Sequence, residues 1–94
     1  MSNKIYINDT KTEIKLDAGQ DISTQTTLEI HWKAPDDTTG EWTASLNADN
    51  QTVEYTNPNP WLIAGIWKFQ IYVELPDWEG NGETYERKIY DLFE

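Results

Sequence analysis

His31 bears most directly on catalysis, because the chain has one histidine and no cysteine. Ser-His-Asp and Cys-His arrangements need a histidine beside a nucleophile, and no nucleophile motif accompanies His31. The residue alternates with Ile30 and Trp32, so it falls on the polar side of an apolar-polar pattern. We therefore predict a solvated surface histidine. One histidine without cysteine also argues against a zinc site, and no metal site is predicted.

Three glutamates, Glu29, Glu74 and Glu86, fall on outward positions of predicted strands. Paired carboxyl groups catalyse glycoside hydrolysis when one of them is desolvated in a cleft. A flat outer sheet face does not desolvate a carboxyl group, so these residues are predicted to be surface charges. With no other catalytic set in the sequence, we predict that the chain is not an enzyme and uses no cofactor.

Residues 77–82, Asp-Trp-Glu-Gly-Asn-Gly, resemble the first half of a calcium loop, because oxygen-bearing side chains alternate before a glycine. The twelfth position of such a loop would be Lys88 instead of glutamate, and strands rather than helices are predicted on either side. We predict a polar loop over residues 76–83 with tight glycine turns. A calcium site in that loop stays open as an alternative.

Four aromatic residues form the candidate interaction surface, because aromatic side chains are favoured in interface hot spots and stack on sugars. Trp61 and Trp78 lie in predicted loops, whereas Tyr72 and Tyr90 lie on outward positions of predicted strands. The alternative for Trp61 is that it caps the core together with Leu62. The alternative for Trp78 is packing at the edge of the core.

Residues 66–75 form the segment on which the fold depends. Apolar side chains alternate with polar ones from Trp67 and Phe69 through to Val73, which predicts a strand with one buried face. The period-two pattern places Trp32 and Trp42 in the same core. Trp67 and Phe69 are large enough to centre that core.

The rest of the chain repeats this pattern in short segments separated by turn residues. Further strands are predicted over residues 5–7, 13–17, 26–33, 42–46, 51–56 and 84–93, with Ile89 and Leu92 anchoring the last. About seven short strands without helical periodicity predict an all-β fold, a two-sheet antiparallel sandwich. A small β-barrel is the alternative.

Ninety-four residues fit one domain, residues 1–94. The net charge of −10 comes from 17 acidic and 7 basic residues, and no basic stripe that would bind nucleic acid is present. No apolar run is long enough to span a membrane. The first residues lack the apolar region of a signal peptide, so the expected location is the cytoplasm or a particle assembled there.

Several stretches taken together resemble small phage and prophage proteins that are encoded among tail or head-tail genes. These stretches are residues 5–7, 12–14, 32–36, 39–44, 64–70, 72–75 and 78–84. The resemblance implies an immunoglobulin-like fold and no enzymatic activity, and it supplies no catalytic residue. The sequence departs from the usual pattern at Ala34, where a polar residue is common.

The resemblance and the acidic composition together predict a non-catalytic structural or accessory protein of a phage or prophage virion. Such a protein would contact other virion or tail proteins in the tail, neck or head, or associate with itself. It would bind neither nucleic acid nor membrane, and it would be found in the virion or the host cytoplasm. The alternative is a carbohydrate-binding or cell-surface-binding module.

Overall fold

The computed structural model describes residues 4–94 and contains eight β-strands in two sheets. The strands are β1 (Ile5–Tyr6), β2 (Thr12–Asp17), β3 (Thr27–Lys33), β4 (Thr39–Thr43), β5 (Ser45–Leu46), β6 (Thr52–Asn57), β7 (Gly65–Leu75) and β8 (Trp78–Tyr90). Within residues 4–94 there is no helix, and hence none that is long and apolar enough to cross a membrane. The prediction of an all-β fold is confirmed.

The larger sheet has five strands in the order β1-β8-β7-β3-β4 and curls into a half-barrel. Strand β7 lies at its centre and pairs antiparallel with both β3 and β8, as the alternating pattern of residues 66–75 predicts. β1 pairs with β8 in parallel, with Ile5 opposite Ile89 and Tyr6 opposite Tyr90. Apart from this short parallel pair, the sheet is antiparallel.

The smaller sheet has three strands in the order β2-β6-β5. The chain passes from the larger sheet to the smaller one at Ala44, whose N–H donates to the Leu28 carbonyl at 3.0 Å. Residues 42–46, predicted as one strand, are therefore divided between β4 and β5. The two sheets are therefore connected through the chain at the β4–β5 edge. At the opposite edge, where β2 and β8 lie, no strand pairing among residues 4–94 joins them.

The core between the sheets contains the predicted aromatic side chains. Trp67 is 8% exposed and Phe69 2% exposed, and Ile71 and Val73 continue the buried face of β7. Trp32 and Trp42 are partly buried and pack against this core. Their rings lie 6.1 Å apart between centroids, and Trp32 lies 5.4 Å from Trp67.

The predicted loop over residues 76–83 is wrong. The turn consists of Pro76 and Asp77 alone, and β8 begins at Trp78. Proline fixes the backbone angle φ that the first corner of a tight turn requires. Both glycines lie inside the strand: Gly80 pairs with Val73, and Gly82 lies where the β7–β8 register shifts between Gln70 and Tyr72. Gly82 therefore marks an irregularity in pairing, as in a β-bulge, instead of a loop.

The end of the chain also differs from the prediction. Ile89 is fully buried, as expected, but Leu92 is 48% exposed and does not anchor the strand. Strand β8 ends at Tyr90, and the chain then turns away, with the Glu94 N–H donating to the Asp91 carbonyl. Leu92 therefore lies beyond the sheet that would have covered it.

Candidate functional site

The longest strand of the structure, β8, is open along one edge. Its inner edge pairs with β7 throughout, whereas its outer edge meets β1 only at Ile89 and Tyr90. From Trp78 to Glu86, no strand within residues 4–94 covers that outer edge. An uncovered strand edge presents backbone N–H and C=O groups that can pair with another chain.

A groove of about 520 Å³ lies beside this edge, where the larger sheet extends past the smaller one. Its apolar wall is formed by Ile71 and Val73 of β7, Ile22 of the loop after β2, and the rings of Trp78 and Tyr85. Trp78 is 50% exposed. Trp78 pairs with Leu75 and Tyr85 with Phe69, so both aromatic rings project toward the inner face of the sheet.

Tyr85 fixes one end of the groove. Its hydroxyl donates to the backbone carbonyl of Asp17, at the end of β2, at 2.6 Å. This hydrogen bond connects the β8 edge to the edge of the smaller sheet. The groove therefore lies between the edge of β8 in the larger sheet and the edge of β2 in the smaller sheet. The Tyr85 hydrogen bond holds these two edges together.

The side chain of Trp61 is buried, so the prediction that it belongs to an interaction surface is wrong. It is 2% exposed, and its Nε1 donates to Thr12 Oγ1 at 2.9 Å. The alternative prediction, that Trp61 caps the core, agrees with this burial, but Leu62 does not share the role because it is 77% exposed. A segment without strand structure therefore supplies one of the largest buried side chains.

Tyr72 and Tyr90 lie on the outer face of the larger sheet but do not form one patch. Tyr90 follows Ile89, which pairs with Gly65, whereas Tyr72 lies seven residues further along β7. At roughly 3.3 Å per residue, the two rings are more than about 20 Å apart along the strand. Tyr90 instead packs near Tyr6, with a centroid distance of 5.9 Å, and the Lys88 ammonium lies over its ring.

His31 lies at the centre of a second cluster, on the outer face of the larger sheet. Its Nε2 is 3.0 Å from Glu29 Oε1 and 3.4 Å from Glu41 Oε2. Glu29 precedes His31 by two residues on β3, and Glu41 is its direct cross-strand partner on β4. His31 is thus a surface residue, as predicted, but it is partly buried and lies within hydrogen-bonding distance of Glu29.

Tyr72 covers the other side of the His31 ring. The two rings are stacked, with centroids 5.1 Å apart and planes 10° from parallel. The pKa of Tyr72 is raised, first by burial of the phenol and then by the negative charges of Glu74 and Glu79. The phenol hydroxyl also donates to Glu74 Oε2 at 3.3 Å. Tyr72 therefore lies close to several carboxylates.

The remaining predicted residues are dispersed. Glu86 lies opposite Lys68, on the β8 side of the sheet, whereas Glu29 belongs to the His31 cluster. Of the calcium-like stretch, Asp77 lies in the turn and residues 78–82 are extended within β8. An extended strand does not fold its alternate side chains around one ion. The structure therefore lacks, at residues 78–82, the loop that the calcium alternative requires.

The sequence pattern predicted neither the open edge of β8 nor the pairing of Glu41 with His31. Both depend on which strands become neighbours, and the alternation of residues along one strand carries no information on strand order.

No protein-family model, curated protein or solved structure matches the chain. The resemblance to phage and prophage proteins therefore stays a prediction.

Proposed function

We propose that the chain is a non-catalytic structural or accessory protein of a phage or prophage virion that acts by protein–protein contact. The single observation that carries this proposal is the uncovered edge of β8, from Trp78 to Glu86, next to an apolar groove. An extended segment of another chain can add to such an edge by backbone hydrogen bonds, and adjacent pockets then select its side chains.

The chemistry of the edge defines the partner segment. Side chains of an added strand that point inward would meet Trp78, Tyr85 and Val73, which favours apolar residues at those positions. Side chains that point outward would meet Glu79 and Glu86, which are exposed on the outer face. The expected occupant is therefore an extended segment of a neighbouring virion subunit in which apolar and basic residues alternate.

The overall charge favours a different chain as the partner over a second copy. Two copies would each bring a net charge of −10 to the contact, and like charges oppose association.

An immunoglobulin-like arrangement of the two sheets, which the resemblance implies, is part of this proposal. So are the expected location in the virion or host cytoplasm and the tail, neck or head as the place of assembly.

Mass spectrometry of particles purified from the host that encodes the chain tests the proposal. The chain is expected among the particle proteins. Trp78→Ala is expected to reduce incorporation at least about 10-fold, as for a hot-spot aromatic. Phe93→Ala is the matched control, because Phe93 is a fully exposed aromatic outside the groove. Absence of the parent chain from particles, or equal loss with both variants, would contradict the proposal.

A carbohydrate-binding or cell-surface-binding module is the second candidate, and the half-exposed ring of Trp78 above a groove favours it. An indole face at a groove rim can stack on a sugar ring. A glycan array probed with the parent chain and with Trp78→Ala separates the two functions. Binding that Trp78→Ala abolishes would support this candidate, and no binding to any glycan would exclude it for the sugars tested.

A further inference from the structure

Glu29, His31 and Glu41 present one imidazole nitrogen and two carboxylate oxygens to the same point in space. One ligand atom from each residue lies within 4.8 Å of the other two. The set is not merely an acidic patch, since imidazole is the commonest protein ligand for transition metals. A mixture of one nitrogen and two oxygens suits zinc better than magnesium or calcium, which prefer oxygen ligands alone.

The two distances from His31 Nε2 match those between ligands of one metal ion. Zinc binds nitrogen and oxygen ligands at about 2.0–2.2 Å, so two ligands at 90–110° are roughly 3.0–3.5 Å apart. Nε2 of His31 lies 3.0 Å from the Glu29 oxygen and 3.4 Å from the Glu41 oxygen. The two carboxylate oxygens lie within 4.8 Å of each other.

The hydrogen-bonding capacity of His31 Nε2 is too small for both carboxylates that face it. An imidazole nitrogen carries at most one hydrogen, whereas Nε2 faces two carboxylate oxygens. That one hydrogen cannot form a well-aligned bond to both. A divalent cation in its place would bind all three groups at once, with the Nε2 lone pair directed at the ion.

The surroundings hold the ligands in place and keep the position accessible. His31 and Glu41 are directly paired on adjacent strands, and stacking on Tyr72 restrains the imidazole ring. A shallow groove of about 480 Å³, lined by His31, Glu41 and Gln70 among others, leaves one side open to solvent.

The geometry points to a Zn²⁺ site formed by His31 Nε2 and one carboxylate oxygen each from Glu29 and Glu41. Water completes the coordination on the groove side, where a ligand from another molecule can replace it. This inference is independent of the β8 edge, which lies on another part of the larger sheet. It also revises the expectation from the sequence that no metal binds.

The single histidine makes the test direct. In untagged, metal-free protein, the imidazole proton signals in the NMR spectrum belong to His31 alone. Titration with zinc chloride is expected to shift these signals to saturation at one zinc per chain, and a chelator should reverse the shift. Magnesium chloride at the same concentrations should leave them unchanged. Equal shifts with both salts, or none with zinc, would overturn the inference.

Variants then identify the carboxylate ligands by calorimetric titration with zinc chloride. Glu41→Gln and Glu29→Gln should each weaken zinc affinity by at least the 10- to 100-fold typical of losing an outer-shell partner. Glu13→Gln is the matched control, because it removes an exposed glutamate from the other sheet, and it should retain the parent affinity. Circular dichroism verifies that each variant is folded. Equal weakening by the control, or parent affinity in folded Glu41→Gln, would overturn the assignment.

Discussion

The indole rings of Trp61 and Trp67 meet edge to face, with centroids 4.9 Å apart and planes at 80°. Trp67 belongs to the central strand β7, whereas Trp61 lies in the segment between β6 and β7. Both indole N–H groups have acceptors, Thr12 Oγ1 for Trp61 and the Ile63 carbonyl for Trp67, each at 2.9 Å. The connection before β7 and the strand itself therefore pack as one unit at this end of the core.

Replacing Trp67 by alanine should unfold the chain or leave it molten. Truncating a buried aromatic side chain costs about 3–5 kcal/mol, a large part of the roughly 5–15 kcal/mol by which domains are stable. Thermal melting followed by circular dichroism measures the loss. Trp78→Ala is the control, because it removes the same residue type from a half-exposed position. A melt of Trp67→Ala close to that of the parent would contradict the assignment of β7 as the core strand.

The hydrogen bond between Trp61 and Thr12 predicts a smaller, separable effect. Thr12→Val keeps the shape of the side chain but removes the acceptor, and a buried donor left unsatisfied costs about 1–3 kcal/mol. Because Trp61 is 2% exposed, water cannot readily replace the hydroxyl. Thr12→Ser retains an acceptor and should lie closer to the parent in urea denaturation. Equal stability of Thr12→Val and the parent would show that the indole N–H finds another acceptor.

The local alternation of residues was enough to predict the central strand and its buried face. Trp67 and Phe69 are buried because every second side chain of a strand faces the same way, and only one face has another sheet to cover it. The same rule fails at Trp61, where no strand exists and burial depends on the path of the connection. Composition alone cannot predict whether an aromatic residue in a proline-rich segment points inward or outward.

The candidate sites were less predictable than the core. His31 and Glu29 were correctly placed on one outward face, but Glu41 joins them only through the β3–β4 register. Gly80 and Gly82 favoured a loop over residues 76–83, whereas the turn consists of Pro76 and Asp77 alone. Glycine lowers strand propensity, but pairing with the long strand β7 outweighs that local preference.

Gly40 lies so close to Trp32 that a side chain at this position should be destabilising. A Cβ atom built on Gly40 would fall well inside van der Waals contact of the Trp32 indole. Overpacking of this kind typically costs about 1–3 kcal/mol, so Gly40→Ala should lower the melting temperature. Gly82→Ala is the matched control, because a Cβ there meets nothing closer than the Ile71 carbonyl at 4.0 Å. Equal melting temperatures for the two variants would show that the indole moves aside at no cost.

Asp49 predicts a stability difference that depends on pH. Its carboxylate accepts hydrogen bonds from the Thr52 hydroxyl at 2.6 Å and from the N–H groups of Thr52 and Gln51 at 2.8 and 2.9 Å. These bonds, the Thr52 side chain first, hold the pKa of Asp49 below its ordinary value of 3.8. A carboxyl group with a lowered pKa in the folded state stabilises the fold above its unfolded pKa, and this contribution is lost as pH falls through the folded pKa.

Asp49→Asn should therefore melt below the parent at neutral pH, because asparagine keeps the shape but loses the charge that strengthens these bonds. The difference in melting temperature should stay constant down to about pH 5 and shrink once the pH falls below 3.8, as the parent carboxyl becomes protonated. Asp21 and Asp36, whose pKa values are also lowered, titrate in both proteins and cancel in the difference. Asp17 does not cancel fully, because the charge of Asp49 raises the pKa of Asp17 in the parent alone. A difference in melting temperature that stays constant from neutral pH to pH 3 would contradict a role for the Asp49 charge. A difference that grows on acidification would show that this charge destabilises the fold.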